Sequence, residues 1–215
     1  MGRHAARFAP VVLVAFVATA CSALLPDDGA PMGSADGEPC PDSVSLADPV
    51  ELEVGVVQEH ADEGTTHVLC EVGYDVSPPT SGSHFPLWQN CGFYSEPIRN
   101  ETAVHSLEHG AIWITYDPDL AAAEVEIIEA LVSTDGHYLA SPYPGLENPI
   151  VLSAWRRQLA VDTITDPAVV AFAADQLGRV SETAPEAGAT CESRIGRAPT
   201  DPDAGYAEVF DQLAN

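Results

Sequence analysis

The stretch NETAVHSLEHGAIWITYDPDLAAAEVEIIEALV, residues 100–132, holds the helix–strand–helix pattern that decides the fold class. Asn100 is a favourable N-cap residue for a short helix over residues 101–109, which Gly110 ends. Residues 111–116, AIWITY, form a short apolar run rich in β-branched and aromatic side chains. Such a run predicts a buried strand directly after the helix.

A second helix follows this strand. Asp117-Pro118-Asp119 has the residue types that begin a helix, which we predict to continue to about Val132. Apolar residues recur near the helical period, at Leu120, Val125, Ile128 and Leu131. This spacing predicts an amphipathic helix.

Further strands and a third helix surround this central stretch. We predict strands over residues 66–76, 137–141 and 150–161, and a helix that starts at Asp166-Pro167 and ends near Val180. This mixture predicts an α+β fold, a compact single domain with a small mixed or antiparallel sheet and three helices.

The domain is predicted to cover residues 51–198. Residues 21–50 are acidic and rich in Pro and Gly without apolar periodicity, which is typical of a disordered tether. Residues 199–215 form an acidic C-terminal tail whose few apolar positions leave two alternatives, an accessory helix or a loose tail.

The N-terminus predicts export. Arg3 and Arg7 precede an uncharged, largely apolar run over residues 8–20, the pattern of a secretory signal peptide over residues 1–20. Small residues before Cys21 resemble a bacterial lipobox, although Ala18 stands where Leu is preferred. We therefore expect a lipoprotein whose Cys21 carries lipid (palmitate) and which touches the membrane only through that anchor, on the extracytoplasmic face. The alternative is ordinary secretion.

The charge of the chain excludes one class of partner. Its 215 residues include 8 Lys+Arg and 33 Asp+Glu, a formal net charge of -25. Binding to nucleic-acid phosphates needs a basic face, so nucleic acid is excluded as a direct partner. The sequence identifies no protein partner.

The cysteines point to an oxidising compartment. If Cys21 carries lipid, the four remaining cysteines are Cys40, Cys70, Cys91 and Cys191. An even set in an exported chain predicts two disulfides, for which three connectivities are possible. Thiolate metal ligation is disfavoured because no C-x-x-C spacing occurs.

Three histidines are candidate metal ligands. His105 and His109 are four residues apart on the predicted helix, so both imidazoles can reach one ion. His84 ends the stiff loop of residues 78–84, PPTSGSH, and completes a set of three nitrogens. Such a set suits a copper or zinc ion, with Glu108 as a hydrogen-bond acceptor for an imidazole or as a ligand itself. The alternative is a structural or partner-binding lipoprotein whose histidines form hydrogen-bonded core contacts.

The same residues also match the H-x-x-E-H motif of inverted zinc proteases. In that alternative His105 and His109 would bind zinc and Glu108 would be the general base of a hydrolase. The mechanism needs a further carboxylate on a later helix, for which Asp175 is the candidate. Five-residue patterns are common by chance. The sequence therefore favours a binding protein over an enzyme and assigns no catalytic residue.

Longer motifs give the chain a family resemblance. These motifs are residues 78–84, 88–94, 103–111, 141–146, 153–155 and 185–191. On them the chain resembles, over about residues 52–192, a bacterial family of secreted or lipid-anchored proteins, the domain of unknown function three-one-zero-five. The resemblance implies an extracytoplasmic location and a Cys91–Cys191 disulfide, which leaves Cys40 to pair with Cys70. It implies no established activity, so a copper or zinc role rests on the histidines alone.

Overall fold

The structure is a computed structural model that describes residues 2, 40, 45–197 and 201–213. The predicted signal peptide, Cys21 and most of the tether lie outside the described residues. The elements given below all belong to one structural unit, residues 31–215.

The described residues form one mixed six-stranded sheet and four α-helices, which confirms the predicted α+β class. The prediction counted three helices, one fewer than the structure has. The strands are β1 (Val57–Glu59), β2 (Gly92–Phe93), β3 (Ile112–Tyr116), β4 (Tyr138–Pro142), β5 (Ile150–Ala154) and β6 (Arg157–Val161). The helices are α1 (Asn100–Glu108), α2 (Ala122–Val132), α3 (Pro167–Gln176) and α4 (Tyr206–Leu213), with a 3-10 turn at Gly178–Val180.

Parallel and antiparallel pairing meet at β3. The strand order is β1-β6-β5-β3-β4-β2, and β3 pairs antiparallel with β5 and parallel with β4. β2 also runs parallel to β4, whereas β6 and β1 continue the antiparallel side. The carboxyl ends of β2, β3 and β4 therefore lie at one edge of the sheet.

Both faces of the central strands are covered. Ile112 and Ile114 of β3 pack with Ile128 of α2 and Phe172 of α3 on one face. Trp113, between them, points to the opposite face, because side chains alternate along a strand. A strand buried on both faces is apolar throughout, which explains the uninterrupted apolar run that predicts β3.

Helix α1 covers the second face. Its apolar side chains Ala103, Val104 and Leu107 pack with Trp113 and Trp155. The polar residues of α1 are buried as well, because loops cover the side of the helix that faces away from the sheet. The helix is thus enclosed, and its polar side chains must find partners inside the protein.

Two predicted helix starts need correction. Asn100 is the first residue of α1, and the N-cap position belongs to Arg99, whose side chain makes no capping hydrogen bond. Asp117 precedes α2 by several residues because its side chain accepts from the backbone N–H of Asp119 at 2.7 Å and forms a turn. Asp166 does cap α3 and accepts from the N–H of Ala168 at 2.8 Å, as predicted.

The third predicted helix ends earlier than expected. α3 stops at Gln176, and Leu177 is extended before the 3-10 turn. Gly178 has a φ of 58° and donates its N–H to the carbonyl of Gly110 at 2.7 Å. This long-range hydrogen bond takes the chain out of the helical path.

The predicted strand at residues 66–76 is wrong. The segment forms no strand, and its contact with His84 is a short bridge in which Val68 N–H donates to His84 O at 2.9 Å and His84 N–H donates to Thr66 O at 3.0 Å. Further along, the N–H of Val72 donates to the Glu101 carboxylate at 2.9 Å. A side chain here takes the place of a neighbouring strand.

The predicted strand at residues 150–161 is a hairpin. β5 and β6 pair antiparallel, and the chain reverses at Trp155 and Arg156. Arg156 adopts a φ of 63°, the left-handed conformation that tight turns require. Trp155 is fully buried although it lies in the turn. An apolar residue at this position is not typical of a turn, so the sequence predicts one continuous strand.

The C-terminal residues contain an accessory helix. Phe210 of α4 is fully buried, with ring centroids 4.6 Å from Phe85 and 4.3 Å from Tyr206. The guanidinium of Arg99 lies over the Tyr206 ring at 4.1 Å. Of the predicted C-terminal tail, residues 206–213 are therefore a helix that packs on the domain.

Two disulfides cross-link the domain, Cys40–Cys70 and Cys91–Cys191. This is the pairing that the family resemblance implied. The second bridge spans 100 residues and joins the loop before α1 to the segment after the 3-10 turn. Both bridges therefore hold the layer of loops that lies over α1.

Candidate metal centre

The polar side of α1 organises the loops around it. The Thr102 hydroxyl donates to the side-chain oxygen of Gln89 at 2.7 Å, and the Ser106 hydroxyl donates to the backbone carbonyl of Gln89 at 2.7 Å. Glu101 accepts from the N–H of Val72. The loops before α1 are thus fixed to the helix by hydrogen bonds from buried side chains.

The loop of residues 78–84 is fixed from the other side by the β5–β6 hairpin. Gln158 Nε2 donates to the carbonyl of Pro78 at 2.9 Å, and the N–H of Arg156 donates to the carbonyl of Thr80 at 3.0 Å. His84 ends this loop and is fully buried. The loop therefore presents His84 to α1 in a fixed position.

Four side chains meet where this loop approaches α1. One ligand atom each from His67, His84, His105 and Glu108 lies within 4.8 Å of the others. The loops supply His67 and His84, which face each other across the short bridge. Helix α1 supplies His105 and Glu108, which are three residues apart and share one face. We call these four residues the histidine–glutamate cluster.

Backbone carbonyls orient two of the imidazoles. His84 Nδ1 lies 2.8 Å from Gly82 O, and His105 Nδ1 lies 2.6 Å from Phe85 O. A carbonyl oxygen can only accept, so Nδ1 carries a proton in each ring, and in the neutral form of the ring the lone pair is on Nε2. Metal-binding histidines are oriented in the same way.

One buried nitrogen in the cluster lacks a hydrogen bond. His84 Nε2 lies 3.0 Å from Glu108 Oε2, and it has no hydrogen-bond partner among the described residues. In the neutral ring a lone pair then faces a carboxylate oxygen in a buried place, which is unfavourable. A cation between the two atoms would satisfy both, so the cluster fits a bound metal ion.

The protonation states favour metal binding. Burial lowers the pKa of His105 to about 3, and the neighbouring imidazoles act in the same direction. Burial also lowers the pKa of His67. For Glu108, burial alone would raise the pKa, but the contact with His84 and the other imidazoles outweigh burial and lower it. Neutral imidazoles and an ionised carboxylate are the forms that bind metal.

The cluster is enclosed on most sides and open on one. His84, His105 and Glu108 are buried, whereas His67 is exposed. Trp155 stands edge-on to His84, with ring centroids 6.2 Å apart. The exposed side chain of His67 marks the side from which solvent reaches the cluster.

His109 belongs to a different contact. Its Nδ1 donates to Thr190 O at 2.6 Å, and its Nε2 lies 3.3 Å from Glu186 Oε2. The His109 ring is 4.7 Å from that of His105, but His109 is not one of the four residues whose ligand atoms converge. The structure thus brings together His84, His105 and Glu108 of the predicted residues and adds His67.

This arrangement differs from the H-x-x-E-H geometry. That motif needs His105 and His109 on one ion with Glu108 free as a base, whereas Glu108 here converges with His105 and His109 faces Glu186. The sequence reasoning missed His67. His67 is identified as a member of the cluster by its bridge to His84, and that bridge depends on the tertiary fold.

Fold and site together define an α+β protein with two disulfides and a largely buried cluster of three histidines and one glutamate. The chain belongs to the DUF3105 family, described as "Protein of unknown function", whose profile matches residues 67–193. The match includes all four residues of the histidine–glutamate cluster and the Cys91–Cys191 bridge. No curated protein and no solved structure matches the chain.

The two disulfides indicate an extracytoplasmic environment, because cytosolic thiols are kept reduced. Among the described residues, no helix has the length and apolar character needed to cross a membrane.

Proposed function

We propose that this protein is an extracytoplasmic metal-binding protein that holds one zinc or copper ion at His67, His84, His105 and Glu108. The observation that carries the proposal is the buried Nε2 of His84, which faces the Glu108 carboxylate at 3.0 Å without a hydrogen bond. Buried polar atoms without partners are rare in folded proteins, and an ion is one of the accepted explanations.

The donor set limits the kind of ion. Three imidazole nitrogens and one carboxylate oxygen suit zinc and copper(II), and the cluster contains no thiolate or thioether that would select copper(I). Four donors at the usual zinc distances lie about 3.3 Å from one another. The ligand atoms of the cluster lie within 4.8 Å of one another, so no pair has to close by more than about 1.5 Å.

We further propose that Cys21 anchors the protein to the outer face of the cell membrane. The basic residues Arg3 and Arg7, the apolar run after them and the small residues before Cys21 support this proposal. Mass spectrometry of the mature protein tests it, since a diacylglyceryl-modified Cys21 must be the first residue. An unmodified N-terminus would leave a secreted protein.

Metal analysis and titration test the metal site. We expect the full chain, purified from its own cell envelope, to contain close to one equivalent of zinc or copper. After removal of the metal, titration against a chromophoric chelator gives the affinity. His67→Ala and His105→Ala should each weaken binding by about 100-fold or more, because even the loss of a residue that only supports a ligand costs about 10–100-fold. Glu108→Gln should weaken it as well.

Two further histidines give matched controls. His109→Ala should change the affinity less than about threefold, because the His109 nitrogens face Thr190 and Glu186. His137→Gln should leave it unchanged, since the His137 ring bonds to Ala189 O at 3.0 Å. Absence of saturable binding would overturn the proposal. Loss of binding in His109→Ala, with His67→Ala unaffected, would assign the ion to His84, His105 and His109 instead.

A further inference from the structure

A cavity lies at the sheet edge where β2, β3 and β4 end. Its volume is about 600 Å³, within the usual range of small-molecule sites. Phe93, Tyr116 and Pro142, the last residues of the three strands, line it from the sheet side. In open α/β sheets, ligands bind outside the carboxyl ends of the parallel strands, and the parallel part of this sheet has the corresponding edge. None of the residues of the histidine–glutamate cluster lines this cavity.

The sheet side of the cavity is aromatic. The rings of Phe93 and Tyr116 are nearly parallel, with planes 5° apart and centroids 6.1 Å apart. The Tyr116 hydroxyl donates to Tyr94 O at 3.1 Å, which fixes the ring. Leu120 and Val125 continue the apolar lining toward α2. The cavity therefore offers a rigid apolar floor to the body of a ligand.

The lining of the cavity is acidic. Glu96, Glu126 and Glu129 contribute to the lining, and none of the described lining residues is basic. Burial raises the pKa of Tyr116 to about 12, and the negative charge of Glu129 adds to that increase. The Glu129 carboxylate is therefore close enough to Tyr116 to affect its charge. The net charge of -25 attracts cations to the molecule at longer range.

We propose that this cavity binds a small organic cation, an ammonium or guanidinium group attached to an apolar body. Aromatic rings attract cations, and the three carboxylates of the lining complement a positive charge. The apolar body fills the floor between the strand ends and α2. The cavity uses residues other than those of the metal site, so substitutions at one site leave the residues of the other unchanged.

Three probes of similar shape and different charge test the proposal: 2-phenylethylammonium, 2-phenylethanol and 3-phenylpropanoate. They are titrated into the full chain by calorimetry and by NMR. We expect saturable binding of the ammonium at least about tenfold tighter than that of the alcohol, and no binding of the carboxylate. Added salt should weaken binding of the ammonium only. NMR changes should map to residues at the ends of β2 and β3.

Substitutions separate the charge from the apolar floor. Glu126→Gln combined with Glu129→Gln should weaken ammonium binding by roughly three- to tenfold and leave the alcohol unaffected. Phe93→Leu should weaken both probes, and Glu192→Gln, an exposed glutamate outside the lining, is the control. Equal affinity for ammonium and alcohol, no saturable binding, or an unchanged affinity in the double glutamine variant would each overturn the proposal.

Discussion

Replacement of Gly110 by alanine is expected to destabilise the junction that follows the histidine–glutamate cluster. Gly110 ends the turn after α1 with a φ of +90°, and a Cβ atom there would lie 2.6 Å from the carbonyl oxygen of Gly178. The carbonyl of Gly110 also accepts the N–H of Gly178 at 2.7 Å. One methyl group thus acts on the conformation, the packing and a hydrogen bond at once.

The expected loss follows from these contributions. The left-handed conformation costs a residue with a Cβ about 1–2 kcal/mol. The overlap with backbone atoms forces a shift worth about 1–3 kcal/mol. Weakening of the Gly178 hydrogen bond adds roughly 1 kcal/mol. We therefore expect the free energy of unfolding to fall by about 3–6 kcal/mol and the Tm to drop by roughly 6–24 °C.

Two other glycines make the measurement decisive. Gly145 has a φ of +86°, but a Cβ atom there would have no heavy atom within 4 Å, so Gly145→Ala should show the conformational cost alone. Gly136 is open and outside the left-handed region, so Gly136→Ala should be neutral or slightly stabilising. Urea and thermal unfolding of the three variants give the comparison. Equal losses for Gly110→Ala and Gly145→Ala would refute the role assigned to the contact with Gly178.

Acid, loss of a disulfide and loss of one aromatic side chain test three other parts of the structure. The pKa of His105 is about 3 in the folded protein and near 6.5 when unfolded, so the unfolded chain binds more protons between these values. As the pH is lowered below about 6.5, the free energy of unfolding of the metal-free protein should therefore fall by roughly 1 kcal/mol per pH unit. Urea unfolding that does not depend on pH between about 6.5 and 3 would contradict this. Cys91→Ser combined with Cys191→Ser should lower the free energy of unfolding by roughly 4 kcal/mol, because the bridge closes a span of 100 residues. An unchanged midpoint of urea unfolding would contradict this prediction. Phe210→Ala should lower the free energy of unfolding by about 3–5 kcal/mol. It should also weaken metal binding, because Phe210 packs on Phe85, whose carbonyl accepts from His105 Nδ1. A normal metal affinity in the folded variant would show that α4 does not support the site.

The parts of the fold that the sequence predicts well have local causes. β3 is buried on both faces, so its apolar run is visible in the sequence. Asp166 caps α3 through its own side chain, which is a local interaction. The prediction of a strand at 66–76 is wrong because the partners of this segment, His84 and Glu101, are distant along the chain. No local pattern reports such partners.

The candidate site shows the same division. The spacing of His105, Glu108 and His109 places all three near one another at the end of α1, but it does not tell which side chains point at His84. That choice depends on the carbonyls that orient the imidazoles, Phe85 for His105 and Thr190 for His109. Thr190 lies 81 residues from His109, so only the folded chain separates the two histidines.

The construction of α1 couples the candidate site to the stability of the domain. The helix has nine residues and no side-chain N-cap, so it is too short to be stable alone and depends on its tertiary contacts. Its polar side chains hold the same loops that carry His67 and His84. An ion bound at the histidine–glutamate cluster would join loop and helix directly, and binding would therefore stabilise the folded state. The affinity of each ligand variant must accordingly be measured on protein shown to be folded, since loss of His105 removes both a donor and the contact with Phe85.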